Sequence, residues 1–414
     1  MSLLFNHRLL YLALRVPRQQ TLATLITHLL QRDTRRPCGV ARIPDDRVPQ
    51  LPMVGGSTQP IGHLGPWFFD WPAMPDNNYD AFLLVSFGGP EGPEDVLPFL
   101  ENVLRGKNVP HERMLEVADH YRQFDGISPI NEQNRRLIAA LETEFATHGP
   151  KLPIYWGNRN WHPLFAETLQ QMADDGVRRA IAFFTSAYSS YSGCRQYHED
   201  LARAQADVGP LAPEIDKLRV FFNHPGFIEP MVASVADSLG QVPDDQRDET
   251  LLLFSAHSIP RGMSESCQYV AQLQEACRLV ADGVGHALWE LVYQSRSGPP
   301  RQPWLEPDIC DRINELHRQR PLRHVVVLPI GFIFDHLEVL YDLDTEARIL
   351  CEGLGITMYR AATAGTQPRF VQMIRELLVE RMNKNSERPA LGKLGPSHDV
   401  CPADCCSYQP QRPK

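Results

Sequence analysis

Two stretches of the chain carry side chains whose types and spacing suit cation binding and proton transfer. In Phe254-Ser-Ala-His257-Ser-Ile-Pro260 an apolar run ends directly in a histidine. An imidazole titrates near neutral pH, so His257 at a strand end can ligate a metal or accept a proton; a polar strand cap would use the same residue. In Leu328-Pro-Ile-Gly-Phe-Ile-Phe-Asp335-His-Leu-Glu338-Val-Leu-Tyr-Asp342-Leu-Asp-Thr-Glu346, the acids Glu338, Asp342 and Glu346 recur every fourth residue and so share one helix face. Like charges at that spacing cost helix stability, whereas a row of carboxylates offers hard oxygen ligands to a divalent cation and a path for protons. Asp335 with Glu338 three residues on also reads as a capping box, which accounts for one acid and not the row. A third stretch, Tyr155-Trp-Gly-Asn158-Arg159-Asn160-Trp161-His-Pro163, mixes aromatics with donors suited to a flat, acidic ligand, or forms an ordinary loop. Gly88-Gly89-Pro90 is a weak phosphate-loop signal, and no Walker motif or nucleophile elbow is present.

These residues need strands that stop beneath them. Strand-like runs fall at 80–87, 153–157, 180–185, 218–222, 250–255, 288–294, 324–330 and 356–359. Helical periodicity falls at 93–104, 111–121, 132–146, 164–175, 194–206, 227–239, 264–282, 307–318, 336–352 and 367–382. The alternation predicts α/β architecture: two similar doubly wound lobes, each a short parallel sheet flanked by helices. The expected division is a first lobe over 74–213, completed by a helix at 367–383, and a second over 214–366 that carries His257 and Glu338. Ligands of such folds bind at the carboxyl ends of the strands. Residues 384–414 lose periodicity and read as a flexible tail.

The 414 residues carry a formal net charge of −9, unevenly distributed. Residues 1–73 hold eight Arg, four Asp and neither Lys nor Glu, a balance of +4 that leaves −13 on the remainder. That leader reads as a disordered or targeting-like extension, or as sequence upstream of a translation start at Met74. The acidic body argues against nucleic-acid binding driven by bulk charge. With 43% hydrophobic and 22% charged residues the composition is that of a globular protein, and no apolar run is long enough to span a bilayer. Nine cysteines are too few for a disulfide scaffold, yet Cys401, Cys405 and Cys406 crowd the C-terminus.

Taken in order, Ser86-Phe-Gly-Gly-Pro-Glu91, Gly126-Ile-Ser-Pro-Ile-Asn131, Tyr155-Trp-Gly-Asn-Arg159, Ser255-Ala-His-Ser-Ile-Pro260, Tyr293-Gln-Ser-Arg-Ser-Gly-Pro299 with Pro303-Trp-Leu305, and Asp335-His-Leu-Glu-Val-Leu-Tyr341 resemble the ferrochelatases. The resemblance spans about 79–383 and implies a chelatase-like fold and a lyase that inserts Fe²⁺ into a porphyrin, releasing two protons, in haem b biosynthesis. It implies that His257 and Glu338 are the catalytic, metal-facing pair and that Asp342 and Glu346 continue as an outward metal or proton path. It places Phe87, Ser128, Tyr191, Tyr197 and Trp304 against the ring, and Arg105 and Arg159 on propionates. No nucleotide and no nucleic acid is called for. The variant resembled is the actinobacterial type, which favours coproporphyrin III over protoporphyrin IX. Some members hold a [2Fe–2S] cluster, for which Cys194, Cys401, Cys405 and Cys406 are the candidate ligands; a four-cysteine zinc site and an unstructured tail are the other readings. Cys38, Cys267, Cys277, Cys310 and Cys351 belong to no motif. The implied setting is cytoplasmic or membrane-peripheral, with transient contacts to other haem-pathway enzymes or a membrane surface. A cobalt or other tetrapyrrole chelatase of the same fold, and a non-catalytic haem-binding redox sensor, are the alternatives.

Overall fold

The apolar runs become the buried members of two parallel ladders. The computed structural model describes residues 79–106, 109–298, 301–383 and 385–408; the leader 1–73 and Cys38 lie outside them. Strands β1 (Ala81–Ser86), β2 (Ile154–Asn158), β3 (Arg179–Phe184) and β4 (Glu214–Lys217) form one sheet in the order β2-β1-β3-β4. Strands β5 (Leu251–His257), β6 (Trp289–Gln294), β7 (His324–Leu328) and β8 (Thr357–Arg360) form the second, in the order β6-β5-β7-β8. Every pairing is parallel. The central strands β1 and β5 are continuous apolar runs because helices cover both faces of such sheets. The expected α/β, doubly wound architecture is the one observed. No described helix is long and apolar enough to cross a membrane.

The strand order fixes where a site can form. In each sheet the chain first steps outward (β1 to β2, β5 to β6) and then hops back to the other side of the starting strand (β3, β7). Crossovers therefore diverge at β1/β3 and at β5/β7, opening a crevice at the carboxyl ends of those strands. Helices Ile130–His148, Pro225–Leu239, Tyr269–Val284 and Pro368–Met382 share one large apolar cluster with the strands. Helix Pro368–Met382 packs on both Pro225–Leu239 and Ile130–His148.

Three expectations are corrected. The strand expected at 218–222, within the second lobe, forms instead at Glu214–Lys217 and closes the first sheet. Leu218 makes one last ladder bond, to the Ala182 carbonyl at 2.9 Å, and the chain then turns inward. Phe221 and Phe222 are buried, and the Phe221 ring stacks on Phe183 with centroids 5.0 Å apart. Their apolarity serves the core from a bend, which period-based reading cannot separate from a strand. The helix expected at 336–352 is composite: one α-turn at Leu337–Val339, a π-helix at Leu340–Ala347, then Arg348–Leu354. Residues 385–408 are not loose: the Asn223 amide nitrogen donates to the carbonyls of Leu391 at 3.1 Å and Gly395 at 2.9 Å. A buried Arg219–Glu380 pair anchors the same segment through Arg219 Nη2, which donates to the Pro389 carbonyl at 2.8 Å. We refer to this segment as the strap.

Candidate active site

The switch point of the second sheet brings together the two residues that the sequence sets 81 positions apart. β5 delivers His257 at its carboxyl end, and the Tyr269 hydroxyl fixes the backbone there by donating to the His257 carbonyl at 3.0 Å. β7 ends one strand away, and its outgoing turn crosses β5 closely. The Gly331 amide donates to the Ser255 carbonyl at 3.1 Å, and a Cβ at position 331 would sit 2.7 Å from that of Ala256, so only glycine fits without a shift. The next residues are held from two sides. Arg360, on β8, pairs with the Asp335 carboxylate, while Gln133, on helix Ile130–His148, donates to the Asp335 carbonyl at 3.0 Å. The capping-box reading is thereby corrected: the N-cap is His336, it makes no side-chain cap bond, and Asp335 is committed to Arg360.

Glu338 instead meets His257. Its Oε1 lies 2.7 Å from His257 Nδ1, with the two side chains 31% and 34% exposed. Burial pushes the Glu338 carboxyl up, but the charge and hydrogen bond of His257, then His336 and Ser295, outweigh it and hold the group well below the usual carboxylate range. An ionised Glu338 can only accept, so it favours the proton on His257 Nδ1; the neutral ring then carries its lone pair on Nε2, the form that can take a proton or a metal.

The acid row continues from there along the π-helix. The wider turn brings residues four apart nearer to one azimuth than a 3.6-residue turn does, which sharpens the common face of Glu338, Asp342 and Glu346. Burial pushes the Asp342 carboxyl up, and the charge of Glu338 adds to it. Two donors oppose the shift: the Ser295 hydroxyl, in a short bond to Asp342 Oδ2, and Gln294 Nε2 at 3.4 Å. Ser295 does this from φ +61, a conformation a non-glycine residue rarely adopts. Glu346 is exposed at the outer end. Helix His111–Arg122 closes the near side: His120 stacks on Tyr341 with ring centroids 3.9 Å apart, and burial together with the Glu338 charge holds the Tyr121 hydroxyl far above its ordinary range.

The sequence reading did not assign roles to Ser295, Gln294, Tyr121, Gln133 or Arg360. Ser295 and Gln294 stand inside the Tyr293–Pro299 segment, so the signal was present there. The others are brought in by packing between distant elements, which leaves no local pattern.

The residues expected to touch the ring divide. Phe87 is half-buried beyond the end of β1, its ring edge-on to Phe99 at 6.3 Å, and Ser128 is buried beside it with its amide on the Pro90 carbonyl at 2.8 Å. Tyr191 is half-buried and donates to Glu199 at 3.0 Å. Tyr197 is instead a core residue between Phe165 and Phe184, and Arg159 lies over its ring while pairing with Asp200 at 2.6 Å. Arg159 is thus committed within the first lobe. The rest of its stretch is also structural, since Asn158 Nδ2 donates to the His162 carbonyl at 3.0 Å while Asn158 Oδ1 accepts from Trp156 Nε1 at 2.9 Å. Arg105 is exposed at the end of helix Val96–Leu104, bonded to Asn102. Trp304 is buried.

The cysteines converge at a second location. Cys194 sits in a π-turn, Tyr191–Arg195, tightened by Ser190, whose hydroxyl accepts from the Gly193 amide at 2.9 Å. Its Sγ lies with His198 and Cys401 in a group whose ligand atoms are all within 4.8 Å of one another; Cys401, Cys405 and His398 form an overlapping group with the same limit. Cys405 and Cys406 Sγ atoms are 3.7 Å apart. The hydrogen bond with Cys194 and the charge of Lys217 draw the Cys401 thiol down to about 7 against burial, so it is readily a thiolate. Arg195 holds the strap in place by donating to the carbonyls of Ala403 at 2.5 Å and Cys405 at 3.2 Å. This arrangement could hold a metal.

Comparison with known proteins identifies the family. The ferrochelatase family model matches residues 79–382. A protein named ferrochelatase from Rhodopirellula baltica is 61% identical over 338 residues, covering 81% of this chain and 95% of that protein. A coproporphyrin III ferrochelatase from Streptomyces coelicolor is 51% identical, covering 82% of this chain and 97% of its own length. A protein of the same name from Mycolicibacterium smegmatis is 50% identical, covering 74% and 91%. The chain belongs to the ferrochelatase family.

Proposed function

We propose that this ferrochelatase metallates coproporphyrin III, with His257 and Glu338 facing the metal and Asp342 and Glu346 leading outward. Ferrous iron and the porphyrin are its substrates. The single observation that carries the residue assignment is the 2.7 Å contact of His257 with Glu338 at the switch point of the second sheet, with a partly buried acid row running from it. Metallation replaces two pyrrole N–H protons by one Fe²⁺, so the enzyme must hold a divalent cation and dispose of two protons. An imidazole with its lone pair on Nε2 accepts a proton or ligates iron, while the ionised Glu338 stabilises the imidazolium that results. Asp342, pushed up beside it, passes a proton to Glu346 and solvent. Phe87 and Ser128, at the carboxyl end of β1, and Tyr191, beyond β3, line the ring's path. Phe87 lacks the hydroxyl by which a tyrosine there could approach the metal. Coproporphyrin III is favoured because relatives at 50% identity and above 80% coverage carry that name.

The four cysteines fit a [2Fe–2S] cluster: Cys194, Cys401, Cys405 and Cys406 supply four thiols, one drawn toward the thiolate and bordered by Lys217 and Arg195. A cluster held there supplies a one-electron couple and a crosslink between strap and first lobe. Such thiolate ligation suits a reducing compartment, and we assign the protein to the cytoplasm on that ground.

The test is turnover of the purified protein with Fe²⁺ and each of coproporphyrin III and protoporphyrin IX, alongside His257→Ala. Coproporphyrin is expected to give the higher kcat/KM, and His257→Ala to lose insertion while retaining porphyrin binding. Undiminished turnover in His257→Ala overturns the residue assignment; equal or better turnover of protoporphyrin overturns the substrate assignment.

A further inference from the structure

A porphyrin bearing four propionates needs cationic partners around its rim, and Arg159 is spent on Asp200. A different set of arginines stands on the second lobe. Arg261, Arg296 and Arg301, with Gln302, Pro303, Trp304 and Glu306, line a cavity of about 230 Å³. Backbone bonds build it: the Arg261 amide donates to the Pro303 carbonyl and the Leu305 amide to the Ile259 carbonyl, each at 3.0 Å. Glu306 is the single acid on the lining, 3.3 Å from Arg261 and 4.0 Å from Arg296. Three guanidiniums against one carboxylate leave the cavity with excess positive charge. A second, independent feature points the same way. Trp304 is only 7% exposed, and its indole Nε1 is buried with no hydrogen-bond partner among the described residues. A buried donor left unpaired is destabilising, and it stands on the same lining as the arginines. Forked guanidiniums and an indole N–H are donors only, so the ligand that satisfies them is an acceptor-rich anion of carboxylate type.

The cavity is the size of a side arm rather than of a macrocycle. It also lies at the same end of the second sheet as His257. Arg261 is four residues beyond His257, which bounds their Cα separation at roughly 14 Å. Arg296 follows Ser295, whose hydroxyl donates to Asp342. Both arginines therefore extend from the carboxyl ends of β5 and β6, on the same side of the sheet as the site.

We propose that this cavity receives a propionate carboxylate of the tetrapyrrole and selects for macrocycles that carry one at that edge. The proposal rests on the chain being a porphyrin-metallating enzyme. The test is an Arg261→Gln/Arg301→Gln variant of the full chain, titrated by fluorescence quenching with coproporphyrin III and with its tetramethyl ester in the same detergent. Arg261 is 56% exposed and Arg301 is exposed, so the fold is not at stake. The acid's Kd is expected to rise at least tenfold and to lose part of its salt dependence, with the ester's Kd unchanged and kcat at saturating coproporphyrin intact. An unchanged Kd for the acid, or equal weakening for acid and ester, overturns the proposal. A parent protein that inserts iron while the variant binds as it does sinks the carboxylate site alone. A parent that binds the acid through these arginines but metallates nothing sinks the functional reading instead.

Discussion

Replacing Glu380 by Gln isolates the anchor of the strap. Arg219 and Glu380 are 1% and 6% exposed and joined by two bonds, Nε to Oε1 at 2.7 Å and Nη2 to Oε2 at 3.0 Å. Oε1 also accepts from Arg388 at 3.1 Å, and Arg388 in turn donates to the Ser397 carbonyl at 2.6 Å. One carboxylate thus neutralises a buried guanidinium and ties down chain four residues short of Cys401. Arg219 Nη1 already lacks a partner, so no neighbouring group stands ready to take over the charge. Breaking a buried pair from one side costs about 3–5 kcal/mol; Glu380→Gln retains one accepting oxygen, which puts the expected loss near the lower end, about 3 kcal/mol. That is roughly a hundredfold in the folding equilibrium. Urea denaturation followed by circular dichroism reads it directly, and amide exchange at Leu391, whose N–H donates to the Asn223 carbonyl at 2.8 Å, should accelerate. The apolar pair Arg219→Met/Glu380→Leu should be more stable than Glu380→Gln alone, because no charge is stranded. A loss below about 1 kcal/mol in Glu380→Gln, or a double variant no better than the single, refutes the buried-charge argument.

Three further expectations follow from single positions. Burial, with Arg219 and Arg369 adding to it, depresses His224 to about 3, while its Nδ1 caps helix Pro225–Leu239 by accepting from the Gly226 amide at 3.1 Å. The unfolded chain binds the proton first, so this contribution is whole above pH 6.5 and falls with pH toward 3; it amounts to about 2 kcal/mol by pH 5. His224→Asn keeps the cap and should flatten that part of the stability–pH curve, and a variant with the parent's slope counts against the assignment. Gly331→Ala forces its new Cβ against Ala256; about 1–3 kcal/mol of stability and slower iron insertion are expected at unchanged porphyrin affinity, and parental kinetics would show that the turn does not position Glu338. Cys405→Ser should abolish the visible absorption and labile sulfide of anaerobically purified protein; a parent that is itself colourless rules the cluster out.

The sheets were legible because parallel strands buried on both faces are apolar throughout, and Leu251–Phe254 and Val325–Leu328 advertise themselves in any window. His257 was legible for a related reason, since it lies where such a run stops and that is where this topology opens, whereas Glu338 stood out through the four-residue spacing of its acid row. Leu218–Phe222 was misread because burial, not hydrogen bonding, is what apolarity records. The strap was misread because its order comes from polar side chains of other elements, Asn223 and Arg219, gripping its carbonyls, and a segment held by its backbone leaves no periodicity of its own. Arg159 and Tyr197 were given to the ring from motif alone. Their commitment to Asp200, Phe165 and Phe184 is a matter of three-dimensional packing, and a surface arginine and a buried one are identical in sequence.

The role proposed for the acid row rests on a difference in environment rather than on the number of its charges. Glu338 and Asp342 are one turn apart and both are partly enclosed, yet one is held low by His257 and the other is pushed high by burial and by Glu338 itself. Shifts in opposite directions favour one shared proton over two charges, with the outer carboxyl the readier to keep it. A row of three equally exposed acids would compete for iron without directing protons. Here the lowered member stands against the imidazole, where the proposed reaction gathers positive charge, and the raised member stands between it and the exposed Glu346. Ser295 limits how far Asp342 is raised. Its hydroxyl reaches Asp342 from a strained backbone, at the end of the strand paired with β5, so the same ladder that sets His257 also sets the group that moderates the next acid. The imidazole–carboxylate pair and the acid next to it are thereby positioned from one sheet, with His120 and Tyr121 covering them from helix His111–Arg122.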